Sequence, residues 1–338
     1  MTYTRRDFGK VGLAAIPFAD ALANINSKFA GVQIGTISYS FRETNDLDTV
    51  IKMTAQAGLG EVELMSNHAE SFAGVPTPAR PAPPARGPAM PTVAAPVAGP
   101  AAASEQAPRR VPRPPMTGDQ IAAARARNED VRKWRLSVSM DKFKEVRSKF
   151  DAAGIDLQLL CFNMNEAITD EEIEYAFQMA KALRVNAISC STQVTVAKRI
   201  APFADKHKIM FGFHGHDATW DPNEFATPET FAIAMSYSKY LGVNLDIGHF
   251  TSGNYDPVAY IKEHHARITN LHLKDRKRDH GGNVPWGQGD TPIKEVLLLL
   301  KKEKYPIPAN IEYEYGKPGM DTVAEVTKCL QFCKSVLA

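Results

Sequence analysis

The sequence predicts an α/β fold of the (β/α)8 TIM barrel class, and three observations predict it. Short apolar runs recur eight times, amphipathic stretches of helical length lie between them, and metal-binding residue types gather at the ends of the last four runs. Strands that alternate with helices pair in parallel through right-handed crossovers. With a 23-residue leader and a 45-residue interruption set aside, 270 of the 338 residues remain, close to the ~250 of a typical barrel. An open doubly wound sheet is the competing arrangement. No Gly-x-Gly-x-x-Gly follows the first strand, and polar residues mark many strand ends instead of one crevice.

In chain order the predicted strands are 32–39, 61–65, 156–162, 187–191, 209–213, 244–247, 270–273 and 310–315. Each is a short run of apolar residues, the length of a buried strand. The helices between them carry start and stop signals. The first, 46–57, opens on Asp46 and closes at Gly58; the next, 139–153, closes at Gly154; a third covers 169–183. Further helices are expected over 192–206, 227–241 closed by Gly242, 256–265, 291–302 and 320–336. Thr227-Pro228 and Asp256-Pro257 place proline just inside a polar cap, where the missing N–H costs nothing.

Two segments depart from this pattern. Thr4 to Lys10 reads T-R-R-D-F-G-K, followed by the mostly apolar stretch to Leu22 and by Ala21-Leu22-Ala23. Paired arginines, a short apolar region and an A-x-A site resemble a twin-arginine export signal cleaved after Ala23, which implies a periplasmic protein. Residues 74–118 hold 13 of the 23 prolines and 11 alanines and no aromatic residue. A segment of this kind cannot bury enough apolar surface to offset its ordering entropy, so it reads as a disordered Pro/Ala-rich insertion into a single domain spanning 24–338.

Composition removes several function classes. The chain is 44% hydrophobic and 23% charged, ordinary for a globular protein. Past the leader, no apolar run is long enough to span a membrane. The formal net charge of +2 resolves into +1 over 1–23, +4 over 74–118 and −3 for the remainder. A phosphate backbone thus finds no broad attraction on the folded part, and nucleic acid is not an expected partner. Cys329 and Cys333 stand four apart on a predicted helix, too far for a disulfide, and Cys161 and Cys190 read as core residues.

The chemistry sits on strands five to eight. The fifth ends F-H-G-H-D with His214, His216 and Asp217, and the sixth L-D-I-G-H with Asp246 and His249. The seventh ends L-H-L-K-D with His272, Lys274 and Asp275, and the eighth I-E-Y-E-Y with Glu312 and Glu314. Residues i and i+2 of a strand share a face, so His214 with His216, His272 with Lys274, and Glu312 with Glu314 point together. Such a mixed nitrogen and oxygen set suits one divalent cation, whether Mn, Co, Zn, Fe or Mg.

The order of these motifs resembles the sugar isomerase/epimerase superfamily of xylose isomerase-like TIM barrels, over nearly the whole chain outside leader and insertion. The resemblance implies one divalent metal held by one residue from each of strands five to eight: His214, Asp246, His272 and Glu312. Glu312 and Glu314 share a face, and only motif position selects Glu312. His214 stands where relatives usually carry a glutamate that doubles as a base, and a ligated neutral imidazole takes up no proton. Replacement proton carriers are Glu63 of the second strand, His216 and Lys274, with Glu312 as the remaining ligating glutamate. His249, Trp286 and Glu314 are expected to touch substrate, Trp286 from a closing loop at 283–290. Phe41, Arg42 and His68 are further rim candidates.

The implied activity is isomerisation or epimerisation of a non-phosphorylated carbohydrate by proton abstraction α to a carbonyl. Elimination from, or hydration of, a 3-keto-glycoside uses the same enolate chemistry and is the first alternative. A non-catalytic barrel that binds sugar or partners an oxidoreductase is the second. Phosphodiester cleavage on a three-metal version of this barrel is disfavoured, because the third strand ends L-L-C-F-N without a histidine. A homo-oligomer is compatible with the sequence.

Overall fold

In the computed structural model, residues 25–76, 118–317 and 319–338 are described, with backbone only for 118–125 and 127. The expected leader and nearly all of the expected insertion lie outside these residues. Eight parallel strands form the barrel: β1 (Val32–Ile37), β2 (Glu61–Met65), β3 (Asp156–Cys161), β4 (Ala187–Cys190), β5 (Met210–His214), β6 (Leu241–Asp246), β7 (Ile268–Leu273) and β8 (Ala309–Ile311). They pair in chain order, and β1 also pairs with β8, which closes the sheet. A two-residue strand, Lys28–Phe29, lies antiparallel to the start of β1.

The helices are α1 (Leu47–Gln56), α2 (Ser66–Ala73), α3 (Gly118–Arg135), α4 (Asp141–Ala152), α5 (Asp170–Leu183), α6 (Val194–His207), α7 (Pro228–Tyr237), α8 (Ile247–Ser252), α9 (Pro257–His264), α10 (Ile293–Glu303) and α11 (Thr322–Leu337). Thr169 caps α5 in a reciprocal box with Glu172, and Asp46, Thr227 and Asp256 cap α1, α7 and α9 as their positions suggest. The apolar core lies between sheet and helices, built from residues such as Phe143, Phe177, Phe211, Leu271 and Leu330. All four cysteines are buried and free.

Several boundaries differ from expectation: β8 ends at Ile311 instead of 315 and β1 at Ile37 instead of 39. Helix α7 stops at Tyr237, and Gly242 belongs to β6, where a Cβ would stand 2.2 Å from the Arg267 carbonyl oxygen. Its glycine serves close approach of two chains, not a helix cap. Helices α2, α3 and α8 fall between predicted elements; α8 is a single short turn grown directly from the end of β6.

The barrel interior is polar rather than aliphatic. Asn310 donates to Glu61 Oε2 at 2.7 Å, Asn270 to Glu63 Oε2 at 2.7 Å, and Asn244 to Glu63 Oε1 at 3.3 Å. All five side chains are fully buried. Gly35 makes room for this layer, since a Cβ there would meet Glu61 Oε2 at 1.6 Å. Burial, reinforced by the nearby Glu63 charge, pushes the Glu61 carboxyl well above the usual carboxylate range.

Candidate active site

At the C-terminal mouth, β5 ends on His214, β6 on Asp246, β7 carries His272 one residue before its end, and Glu312 follows β8 directly. In the ladder Asp246 is opposite His272, and His272 opposite Asn310, the residue two before Glu312. Neighbouring strands thereby deliver these side chains to one level of the barrel. One potential ligand atom from each of His214, Asp246, His272 and Glu312 lies within 4.8 Å of the other three, and all four residues are buried.

Their remaining atoms are already engaged. Asp246 Oδ1 accepts the His249 backbone N–H at 2.7 Å, capping α8, and leaves Oδ2 over. His214 Nδ1 is 3.4 Å from Asn244 Oδ1, which selects the tautomer with Nε2 as acceptor. His272 Nε2 lies 2.7 Å from Glu63 Oε2. A carboxylate only accepts, so Nε2 carries a proton, while Nδ1 lies 2.8 Å from Glu312 Oε2. Lys274 Nζ approaches Asp246 Oδ2 at 3.0 Å, Glu312 Oε2 at 2.9 Å and Glu314 Oε2 at 2.6 Å.

Despite these approaches, Asp246 Oδ2, His272 Nδ1 and Glu312 Oε2 are buried without a well-directed hydrogen bond. Orphaned buried acceptors are costly. Three of them facing a common point, beside a free imidazole nitrogen, fit a divalent cation with mixed nitrogen and oxygen ligands. Burial disfavours a charged His272, but Glu63 and Glu312 outweigh it and hold the imidazole well above its usual range. Burial, with His272 and His216 alongside, holds His214 well below the usual imidazole range. Burial opposes the charge of Glu312, but Lys274 and His272 outweigh it and hold its carboxyl well below the carboxylate range. Asp246, Glu312 and Glu314 likewise overcome burial at Lys274 and raise its ammonium.

Above this cluster opens a cavity of about 1020 Å³, also lined by Tyr39, Asn163, His216, Trp220, His249 and Arg276. Asp217 organises its outer wall. Its Oδ1 lies 3.2 Å from His249 Nδ1, and Oδ2 accepts from Ser252 Oγ at 3.1 Å and pairs with Arg276 Nη2 at 2.9 Å. Burial works against the Asp217 charge, yet the contacts from His249 and Arg276 hold its carboxyl far below the usual range. Arg276 also donates to the Gly281 carbonyl from Nε and Nη2, at 3.1 and 2.8 Å.

A family model described as "Xylose isomerase-like TIM barrel" matches residues 126–333. The chain belongs to the xylose isomerase-like TIM barrel family. L-ribulose-5-phosphate 3-epimerase UlaE of Escherichia coli is 26% identical over 120 residues, which span 34% of this chain and 42% of that enzyme. Among solved structures, a probable 3-DHS dehydratase, AsbF, of Bacillus anthracis superposes with a TM-score of 0.57 at 12% identity, over 89% of this chain and 99% of its own. An IolI protein with a binding zinc atom superposes with a TM-score of 0.57 at 13% identity, over 90% of this chain and 98% of its own. A sugar phosphate isomerase/epimerase of Parabacteroides distasonis gives 0.53 at 16% identity, over 94% and 97%. At these identities the superpositions speak to the barrel alone.

Within this family barrel, the sequence-predicted residues separate into three groups. His214, Asp246, His272 and Glu312 come together as one cluster. His216, His249, Lys274 and Glu314 face the cavity. Glu63 and Trp286 do not. Glu63 lies beneath His272, fully buried and tied to Ser189, Asn244 and Asn270 as well. It is held too deep to meet a substrate, and its expected role as proton carrier is corrected to support of the ring above it. Trp286 packs edge-on against Phe332 of α11, with ring centroids 5.6 Å apart. The reason is Asp275, which accepts from the backbone N–H groups of Gly287 and Gly289, both at 2.8 Å, and winds the loop so that the indole faces the helix layer.

The rim candidates move too. Phe41 is core, Arg42 donates to the Tyr313 carbonyl oxygen, and His68 is buried between Ser38 and the Thr44 carbonyl. Tyr39 takes the rim position after β1. Trp220, Arg276 and His280 were not anticipated; they sit on loops, where neither periodicity nor motif spacing marks a direction.

Proposed function

We propose that this protein is a metal-dependent carbohydrate enzyme of the isomerase/epimerase type that removes a proton α to a carbonyl of a non-phosphorylated sugar. The observation that carries the reading is the convergence of His214, Asp246, His272 and Glu312 on one point at the floor of a cavity large enough for a sugar. A divalent ion held by these residues supplies Lewis-acid polarisation of a carbonyl or vicinal hydroxyl oxygen.

The side chains do the rest. Lys274 and Glu314, paired at 2.6 Å, stand beside the cluster as a proton donor and acceptor couple. His249, steadied by Asp217, presents a second imidazole to the same cavity, and His216 a third. Lys274 and Arg276 are the only lysine or arginine among the described residues lining the cavity, and both are engaged by carboxylates. A dianionic phosphate would find no free cation there, which favours an uncharged sugar. The leader motif supports a periplasmic location for the enzyme.

Placement of Glu63 below His272 favours the second reading, elimination from or hydration of a 3-keto-glycoside. Epimerisation needs bases on both faces of the substrate. Here the residue equivalent to one ligating glutamate is His214, its replacement on β2 is out of reach, and a second base falls to His216 or Lys274. Proton removal on one side with loss of a β-leaving group needs only one base.

The test is exchange of the carbon-bound α-hydrogen of keto-sugars and 3-keto-glycosides in heavy water, followed by NMR. Metal-reconstituted wild type is expected to wash deuterium into substrate, and Asp246→Ala, His272→Ala is expected to abolish the exchange. Equal exchange by both proteins, or none by wild type across the panel, overturns the proposal. Product analysis separates epimer from eliminated leaving group.

A further inference from the structure

The outer half of the cavity carries features the reaction centre does not need. Trp220 lines it with 72% of its surface exposed, the highest exposure among the large hydrophobic residues described. Its indole meets the His280 ring edge-on at 5.1 Å. Scattered surface hydrophobics need no explanation, but this one lies on the wall of a cavity that reaches the metal cluster.

Both segments that carry the pair are built, not loose. Residues 217–224 are stitched to the barrel by Val194 N–H to the Asn223 carbonyl at 2.9 Å, by Asn223 Nδ2 to Glu166 Oε1 at 3.1 Å, and by His216 N–H to the Phe225 carbonyl at 2.8 Å. On the opposite segment Asp279 and His280 both take left-handed backbone conformations, φ 55° and 58°. Each costs free energy in a non-glycine residue and persists only where its surroundings impose it. Asn254 imposes it at Asp279, through a side-chain bond of 3.0 Å, and the Ser252 carbonyl at His280, through the backbone at 2.9 Å. The strain holds the His280 ring beside Trp220.

Size points the same way. Ligand pockets commonly run ~300–1,000 Å³. A volume of about 1020 Å³ lies at the top of that range, and one sugar ring seated at the cluster fills only part of it. We infer that Trp220 and His280 form a second, outer subsite that takes the second ring of a two-ring saccharide, the indole packing on the apolar face of the sugar and the imidazole bonding its hydroxyls. A broad amphipathic ring with a fixed polar neighbour suits such a ligand. The inference rests on the carbohydrate reading of the site and narrows it to substrates with two rings.

The test compares the methyl glycosides of glucose, galactose and xylose with the corresponding β-1,4-linked disaccharides, by ligand-observed NMR titration of zinc-loaded protein. Wild type is expected to bind at least one disaccharide about tenfold more tightly than its methyl glycoside, equivalent to ~1.4 kcal/mol. Trp220→Ala is expected to lose that preference and Trp220→Phe to retain most of it. Equal affinities in wild type, or a preference intact in Trp220→Ala, overturn the subsite and leave the proposed function standing. Failure of every saccharide to bind likewise overturns the subsite, and the exchange experiment on keto-sugars decides the proposed function separately. Sedimentation velocity of wild type and Trp220→Ala supplies the remaining outcome: a change in assembly state would make Trp220 a contact between copies and overturn the inference.

Discussion

Two clusters of buried charge lie in this barrel, one outside the sheet and one at its mouth, and they are satisfied to very different degrees. On the outside, Arg135 at the end of α3 bonds Glu70 Oε1 and Oε2 at 2.8 and 3.2 Å and Glu172 Oε1 at 3.0 Å, while Tyr175 donates to Glu70 at 3.3 Å. Its guanidinium also lies 4.9 Å from the Phe162 ring centroid. Neither Glu70 nor Glu172 is left with an orphaned buried atom. At the mouth, Asp246, His272 and Glu312 each keep one. A closed network serves to dock a helix; an open one is shaped for something it has yet to bind.

The largest expected effect follows from opening the mouth further. Asp246→Ala, His272→Ala removes two of four ligands, and elemental analysis should fall from about one equivalent of metal to none. A variant that retained its equivalent would place the metal elsewhere and dissolve the contrast. Next comes Arg135→Ala, which leaves Glu70 buried without a counter-charge and Glu172 with Arg132 alone. Breaking a buried pair in this way costs ~3–5 kcal/mol, so chemical denaturation should shift strongly while metal stoichiometry stays at wild-type level. Little loss of stability would mean that the outer cluster is not the anchor of α3 that its geometry makes it.

The contrast was only half visible in the sequence. Ligand-type residues at four successive strand ends were legible because period two and parallel pairing bring strand ends to one mouth. The outer cluster was not, since Glu70, Arg135 and Glu172 sit on three helices whose mutual approach depends on how they pack around the sheet. Glu63 shows the same limit inside the barrel. Alternation indicates that Glu61 and Glu63 share a face, but depth along the axis depends on strand stagger, which no local pattern encodes. Trp286 was misread because Asp275, twelve residues before Gly287, governs where its loop turns.

Glu63 offers an intermediate effect that sharpens the comparison. It is a closed residue serving the open cluster, since its bond to Nε2 orients the His272 ring with Nδ1 toward the other three residues. Loss of such outer partners typically costs ~10–100-fold in metal affinity. Glu63→Ala should lose zinc affinity in that range in a chelator competition, while Glu63→Gln, whose carbonyl oxygen still accepts from Nε2–H, recovers part of it. Cobalt-substituted protein adds a spectroscopic check: the ligand-field bands should shift in Glu63→Ala. Unaltered affinity and bands would reduce Glu63 to barrel filling.

The smallest effect lies at a third ionic group, on the surface, and marks the lower end of the scale. Burial alone would raise Glu174, but hydrogen bonds from His207, Lys206 and Gln178 prevail and hold it at about 2, below its ordinary 4.5. A carboxylate with a depressed folded-state pKa stabilises fully above its unfolded value and loses that contribution as pH falls through the folded one. Glu174 therefore supports the fold above pH 4.5 and gives up that support between about 4.5 and 2. The Glu174→Gln variant should melt slightly below wild type at neutral pH, and the two curves should converge as the pH is lowered through that window. Screening by solvent keeps the difference small, because the partner Lys206 is 62% exposed. A gap that persisted down to pH 2 would trace to lost packing rather than charge, and the contrast would then rest on the two buried clusters.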